Sequence, residues 1–335
     1  MLRCLSRTLV PLRYLSVASR MSESSSSATS SGFDATQRFL FDLNGFIVLR
    51  GVLDANEVAS LQAAVDAHAS EAVPRDAGAL KNAKDGSALS APGSRRDLGG
   101  MLGWEGVAGD AFRSLLVHPR IAPYLVDLLG EGYRLDHQPI VLVQDGGSEG
   151  FSLHGGPLTS SGTFNPELQY RAVAGQMWTS LLACAVHLSE AQAGDGGFCV
   201  VPGSHKANFP VPPEFATGDA PAFAEHIHQP VVSPGDVVLF SEATVHGALP
   251  WTADHQRRVA LFRFATPSYG YGRAYLEEFG GDVLSKCTPE QAAVLLPPYA
   301  PRLERPIATR PGASATPRSE AKKAHDRAVF NTSYF

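Results

Sequence analysis

The sequence predicts a mainly β fold, a jelly-roll barrel of the double-stranded β-helix type flanked by N-terminal helices. Three observations point there. Short apolar runs at 139–144, 180–188, 236–241 and 258–265 are separated by segments rich in Gly and Pro, the pattern of an antiparallel barrel or sandwich. Helical signals gather ahead of those runs. A histidine, His246, follows one apolar run and an arginine, Arg257, heads the next, which suits a metal site at a barrel mouth.

In chain order, residues 1–20 carry Arg3, Arg7, Arg13 and Arg20 with no acid before Glu23, the composition of an organelle transit peptide. Mitochondrial import is the expectation, with plastid import the rival and an untargeted tail the plainest reading. The run SESSSSATSSG follows as a linker that buries no core. The organisation expected is 1–31 transit peptide and linker, 32–306 the barrel domain and 307–335 a polar, frayed tail. Residues 34–42 read as a helix and GFIVLR at 45–50 as a strand. Asp54 and Glu57 form a D-x-x-E start signal for a helix ending near His68. The stretch 73–103 lacks apolar periodicity and reads as a loop over the site, where Lys81, Lys84, Arg95 and Arg96 either meet an anionic substrate or are simply solvated. Residues 119–129 read as an amphipathic helix and 289–296 as a short one. Asp136 and His137 lack the spacing of ligands and are assigned structural hydrogen bonds, Trp178 core packing, and His68 no role. Tyr269, Tyr271 and Tyr275 cluster in a Gly-rich segment.

Composition narrows the class. With 335 residues, 44% hydrophobic and 18% charged, the chain is long enough for one large β domain. A net charge of −5 without a basic cluster in the domain argues against nucleic acid as a partner. Cys184, Cys199 and Cys287 form no C-x-x-C motif, and the first two lie in apolar strands as buried thiols. Nothing approaches the roughly 18 apolar residues of a membrane span.

The densest chemical signal is PGDVVLFSEATVHGALPWTADHQRRVALFRF at 234–264. Imidazole is an ordinary ligand for Fe, Zn or Cu, and a guanidinium fork fits a carboxylate. Gly247, Pro250 and Asp254 suggest a turn that makes the strands of His246 and Arg257 antiparallel neighbours. Upstream lies VPGSHK at 201–206, in which His205 reads as structural or loop-lining. These elements together resemble the phytanoyl-CoA dioxygenase family of Fe(II)/2-oxoglutarate oxygenases, over roughly 33–264. The resemblance implies that His246 is the second metal-ligand histidine and that Arg257, eleven positions later, binds the far carboxylate of 2-oxoglutarate. It implies as cofactors Fe(II) and 2-oxoglutarate, as partners O2 and a small organic or lipid-like molecule, and a reaction releasing succinate and CO2.

The family's first ligand comes from H-x-D on an earlier strand, whose i and i+2 side chains lie about 6.6 Å apart on one face. FSLHGGP at 151–157 supplies His154, but Gly156 stands where the Asp should be. Three readings stay open. Another carboxylate replaces it, Glu242 being nearest, although on a strand it would sit about 13 Å from His246 unless a bulge or bend intervenes; Asp145 and Glu149 are further possibilities. In a halogenase, the vacated position takes a halide. In a binding protein, catalysis is lost.

Overall fold

The computed structural model describes residues 32–75, 82–271, 281–298, 308–311 and 320–331. The transit peptide and linker expected at 1–31, and Lys81 and Tyr275, lie outside the described residues.

Two helices open the domain. α1 (Ala35–Asn44) and α2 (Ala55–Ala67) each start on a reciprocal capping box, Asp34 with Gln37 and Asp54 with Glu57, which satisfies amide groups that the first helical turn leaves without partners. Between them runs β1 (Phe46–Leu49). The expected 73–103 loop in fact holds two short strands, β2 (Val73–Pro74) and β3 (Arg96–Leu98). Two further helices follow, α3 (Gly106–Ser114) and α4 (Ala122–Leu129). α4 starts three residues later than expected and is almost wholly buried rather than amphipathic.

The remaining strands build the barrel. They are β4 (Arg134–Gln144), β5 (Phe151–His154), β6 (Tyr170–Val173), β7 (Gln176–Thr179), β8 (Leu181–His187), β9 (Gly197–Val200), β10 (Val237–Ser241), β11 (His246–Leu249) and β12 (Arg257–Ala265). One antiparallel sheet has the order β1-β10-β8-β12-β4-β3-β2 and faces a smaller one, β5-β11-β9, while β6 and β7 form a hairpin. Two expectations fail here. The strand runs at 236–241 and 258–265 are not neighbours, because β8 lies between β10 and β12. His246 belongs to neither run: the chain turns after Ser241 and enters the smaller sheet as β11.

Side-chain alternation sorts the two faces of the large sheet. Leu182, Cys184 and Val186 of β8, Val237 and Leu239 of β10, and Phe262 and Phe264 of β12 pack toward the helices. Ala183, Ala185, Val238, Phe240 and Val259 face the barrel interior. Alanines on β8 keep that interior open. The buried Cys184 and Cys199 thiols are both pushed up to about 12 by desolvation. At the far end, residues 320–330 form a helix rather than a frayed tail. No helix among the described residues is long and apolar enough to cross a membrane.

Candidate metal centre

The smaller sheet sets two histidines face to face. β5 and β11 pair antiparallel with His154 opposite His246, and their ring centroids are 4.2 Å apart. His154 Nδ1 lies 3.0 Å from the Ser152 carbonyl and His246 Nδ1 2.7 Å from the Thr244 carbonyl. A carbonyl only accepts, so each Nδ1 carries a proton and Nε2 is the ring nitrogen that would take a metal. That is the outer hydrogen bond metal-bound imidazoles use to fix their tautomer and orientation.

Glu242 supplies a third ligand atom. The strand spacing expected between Glu242 and His246 does not apply, since β10 ends at Ser241 and a tight turn follows, closed by the Thr244 amide on the Ser241 carbonyl at 2.8 Å. The turn folds Glu242 back, and its Oε2 lies 3.6 Å from His246 Nε2. One ligand atom each from His154, Glu242 and His246 fall within 4.8 Å of one another. Two nitrogens and a carboxylate oxygen form the donor set of the facial triad that binds non-heme Fe(II). Glu242 Oε1 accepts a 2.7 Å hydrogen bond from Arg263 Nε. Burial alone would raise the Glu242 pKa, but Arg263, His246 and His154 outweigh it and hold the carboxyl at about 2.

Gly155 and Gly156 explain why the usual Asp position is different here. β5 ends at His154, so the step of one strand period to residue 156 does not hold. Both glycines have positive φ, +96° and +93°, a region costly for residues with a Cβ. A Cβ on Gly155 would stand 2.5 Å from the Thr244 carbonyl oxygen and 2.8 Å from that of Glu242. The Gly156 amide donates to the Ala243 carbonyl at 3.0 Å. The glycines thus tuck under the turn that carries Glu242.

Arg257 stands along the same cavity of about 270 Å³, which His154 and His246 also line. It is 4% exposed, and among the described residues no carboxylate pairs with it. Nη1 donates to Gln144 Oε1 at 2.6 Å, while the buried Nε has no hydrogen-bond partner. Desolvation first, then the charge of Arg95, pushes its pKa down to about 10. Gly197 makes room for it: a Cβ there would lie 2.6 Å from Arg257 Nε. A buried cation with an unsatisfied donor fits an incoming carboxylate.

The other candidates fall elsewhere. Arg258 points away and pairs with Asp66 at 2.7 Å. Asp145 is exposed and bridges Arg96 and Gln256, and Glu149 is half-buried outside the His154, Glu242 and His246 group. His205 bonds the Asp42 carbonyl, and Asp136 takes donors from Arg134 and the Tyr271 amide. Trp178 is half-buried under Arg171 rather than packed in the core. Arg263 was not singled out from the sequence, although strand alternation from Arg257 through Val259 and Leu261 puts it on the same inner face.

Residues 157–259, which include Glu242, His246 and Arg257, match the family model of phytanoyl-CoA dioxygenase (PhyH). That match places the segment in the phytanoyl-CoA dioxygenase family. The chain is therefore an oxygenase-type enzyme of the class whose cofactors are iron and 2-oxoglutarate, in agreement with the two-histidine, one-glutamate cluster. No curated protein matches the chain. Among solved structures, HygX from Streptomyces hygroscopicus, with nickel, 2-oxoglutarate and hygromycin B bound, has a TM-score of 0.57 at 23% identity, over 71% of this chain and 89% of its own. The alpha-ketoglutarate-dependent epimerase SnoN from nogalamycin biosynthesis has a TM-score of 0.50 at 23% identity, over 73% and 88%. The carbocyclase SnoK from the same biosynthesis has 0.50 at 19%, over 84% and 99%. These likenesses are likenesses of fold, the jelly roll expected from the sequence.

Proposed function

We propose that this protein is an Fe(II)- and 2-oxoglutarate-dependent oxygenase that hydroxylates a small organic or lipid-like molecule, with His154, His246 and Glu242 holding the metal. The observation that carries this reading is the convergence of two tautomer-fixed Nε2 atoms and one ionised carboxylate beside a buried, carboxylate-free Arg257. When bound, iron and 2-oxoglutarate supply the O2-dependent oxidation, with release of succinate and CO2. The chain's own part is to bind, orient and exclude water. Arg257 anchors the distal carboxylate. Arg263 holds Glu242 Oε1, leaving Oε2 toward the histidines. Phe198 and Phe240 wall the cavity.

The Glu242 carboxylate at the third corner favours replacement of the missing Asp over the halide-binding reading, which needs that corner open. It equally favours an active centre over a silent scaffold, which has no use for a buried ionised glutamate. The test is turnover of 2-oxoglutarate to succinate by Fe(II)-reconstituted protein in O2, with and without chloride or bromide. Halide-independent turnover is expected. A strict halide requirement would return the reading to halogenation.

A further inference from the structure

β4 slips twice against β12 at the end of the ladder away from Arg257. Leu261 pairs with Ile140, Arg263 with His137 and Phe264 with Leu135, so β4 carries one extra residue on either side of the Arg263 pair. Each slip is a β-bulge, a device that re-aims side chains and recurs beside active sites. Pro139, which has no amide hydrogen for the ladder, lies in one of them. Unbroken alternation from Leu135, which packs toward the helices, would turn His137 the same way. The bulges instead set His137 across from Arg263, on the face of β12 that presents Arg257, Val259 and Leu261 to the cavity. Side chains paired in this way stand with their Cβ atoms about 5 Å apart.

We propose that His137, Arg263 and Tyr271 hold a hydroxyl group of the substrate, so that the molecule oxidised is a hydroxyl-bearing one. This rests on the oxygenase reading above and narrows its substrate class. Arg263 gives Nε to Glu242 Oε1 at 2.7 Å, and among the described residues Nη1 and Nη2 meet no acceptor. They remain as donors beside a metal ligand. His137 Nδ1 lies 2.9 Å from Asp136 Oδ2. Against burial, His137, the Tyr271 amide and Arg134 hold that carboxyl at about 2. A carboxylate only accepts, so Nδ1 carries a proton, and in the neutral ring Nε2 accepts. Tyr271 stacks on the imidazole with ring centroids 5.4 Å apart, and its amide donates to Asp136 Oδ1 at 2.9 Å. Its hydroxyl has no hydrogen-bond partner among the described residues. Burial first, then the charges of Glu167 and Glu242, raise that phenol above its usual value, in keeping with a place beside the Glu242 and Arg263 pair.

A fixed donor facing an acceptor suits a hydroxyl, which takes one hydrogen bond and gives another. A carboxylate would find Arg263 but offer nothing to the His137 acceptor, and it would stand near the ionised Glu242, a like charge. A ketone would satisfy the donor alone. A hydrocarbon would cover both groups and leave them unpaired, which is costly once water is excluded. The cluster is open to an incoming molecule: the side chains of His137 and Arg263 are 29% and 25% exposed and Tyr271 is 39% exposed.

The test uses protein loaded with Mn(II) and 2-oxoglutarate and three probes on one ring: cyclohexanol, cyclohexanone and cyclohexanecarboxylate. Relaxation of the probe protons by the manganese reports binding beside the metal, with Zn(II)-loaded protein as the diamagnetic control. Cyclohexanol is expected to relax saturably and to bind about tenfold tighter than either other probe, as one extra hydrogen bond in a closed site would give. His137→Leu is expected to lower cyclohexanol to the level of cyclohexanone while Mn(II) and 2-oxoglutarate bind as in wild type, and Tyr271→Phe to cause a smaller loss. His137→Gln, whose amide oxygen also accepts, recovers part of the preference and serves should the leucine variant fail to fold. Absence of saturable relaxation by cyclohexanol, or equal binding of the three probes by wild type, overturns the proposal. Preference for cyclohexanecarboxylate overturns it in favour of an anionic substrate, and an unchanged preference in His137→Leu removes His137 from the role. A wild type that takes up neither Mn(II) nor 2-oxoglutarate overturns the oxygenase reading, and the hydroxyl site with it.

Discussion

Two protons decide what His154 and His246 can do. Each sits on an Nδ1 committed to a backbone carbonyl, so Nε2 is the ring nitrogen through which each would hold a metal. Replacing either histidine with Ala is expected to abolish stoichiometric Fe(II) binding with the fold intact, since neither ring is a large contributor to the core clusters; anaerobic titration with circular dichroism as the fold control checks both halves. Arg257→Ala removes a buried cation whose paired contact with a carboxylate is worth about 2 to 5 kcal/mol, so 2-oxoglutarate affinity should fall at least about 30-fold. Arg258→Ala is the matched control. Its side chain reaches Asp66 instead of the cavity, and unchanged affinity is expected.

At the scale of elements, the site depends on a turn. His154, His246 and Arg257 were legible from motif and spacing, because histidine and arginine at strand ends are conspicuous. Glu242 was legible only as a nearby acid. On a continued strand it would be remote from His246, and the sequence carries no glycine or proline at 242–245 to announce that the chain reverses there. The β10–β12 neighbour relation was misjudged for a related reason: a chain crossing between two sheets reads locally like a hairpin. The capping boxes of α1 and α2 were readable because they are local, whereas β2 and β3 are too short to show a period. The same turn makes Gly155 sensitive. Gly155→Ala combines a positive φ with a clash against two carbonyl oxygens, and should cost about 2 kcal/mol or more and weaken metal binding; urea unfolding and Fe(II) titration measure the two effects. A Cβ at Gly156 would meet Val245 Cγ2 at 3.6 Å and the Leu158 carbonyl oxygen at 3.9 Å, both ordinary contacts, so the strain of Gly156→Asp at that atom is that of the backbone, and no gain in iron affinity is expected.

For the whole molecule, the barrel is held between the helices and the smaller sheet, and one buried charge cluster ties β4 to the segment after β12. Asp136 accepts from Arg134 Nη1 and the Tyr271 amide, both at 2.9 Å. Burial would raise its pKa, but His137, the Tyr271 amide and Arg134 bring it from 3.8 to about 2. The folded pKa lies below the unfolded one, so this group stabilises the fold above about pH 4 and loses that contribution as pH falls toward 2, a loss of about 2 kcal/mol. Urea unfolding between pH 2.5 and 6 should show that slope flattened in Asp136→Asn. Mitochondrial import remains our proposal from the composition of residues 1–20, and a fluorescent fusion of residues 1–31 that stays diffuse in the cytosol would discard it.

The central claim is that a turn-borne glutamate completes a two-histidine metal site. Anaerobic calorimetric titration of Fe(II), followed by 2-oxoglutarate, into wild type and Glu242→Ala tests it most directly. The expected result is one Fe(II) per wild-type chain, one 2-oxoglutarate bound only after the metal, and a large loss of iron affinity in Glu242→Ala. Equal iron binding by both proteins would contradict the role of Glu242, and a wild-type protein that bound neither iron nor 2-oxoglutarate would contradict the oxygenase assignment itself.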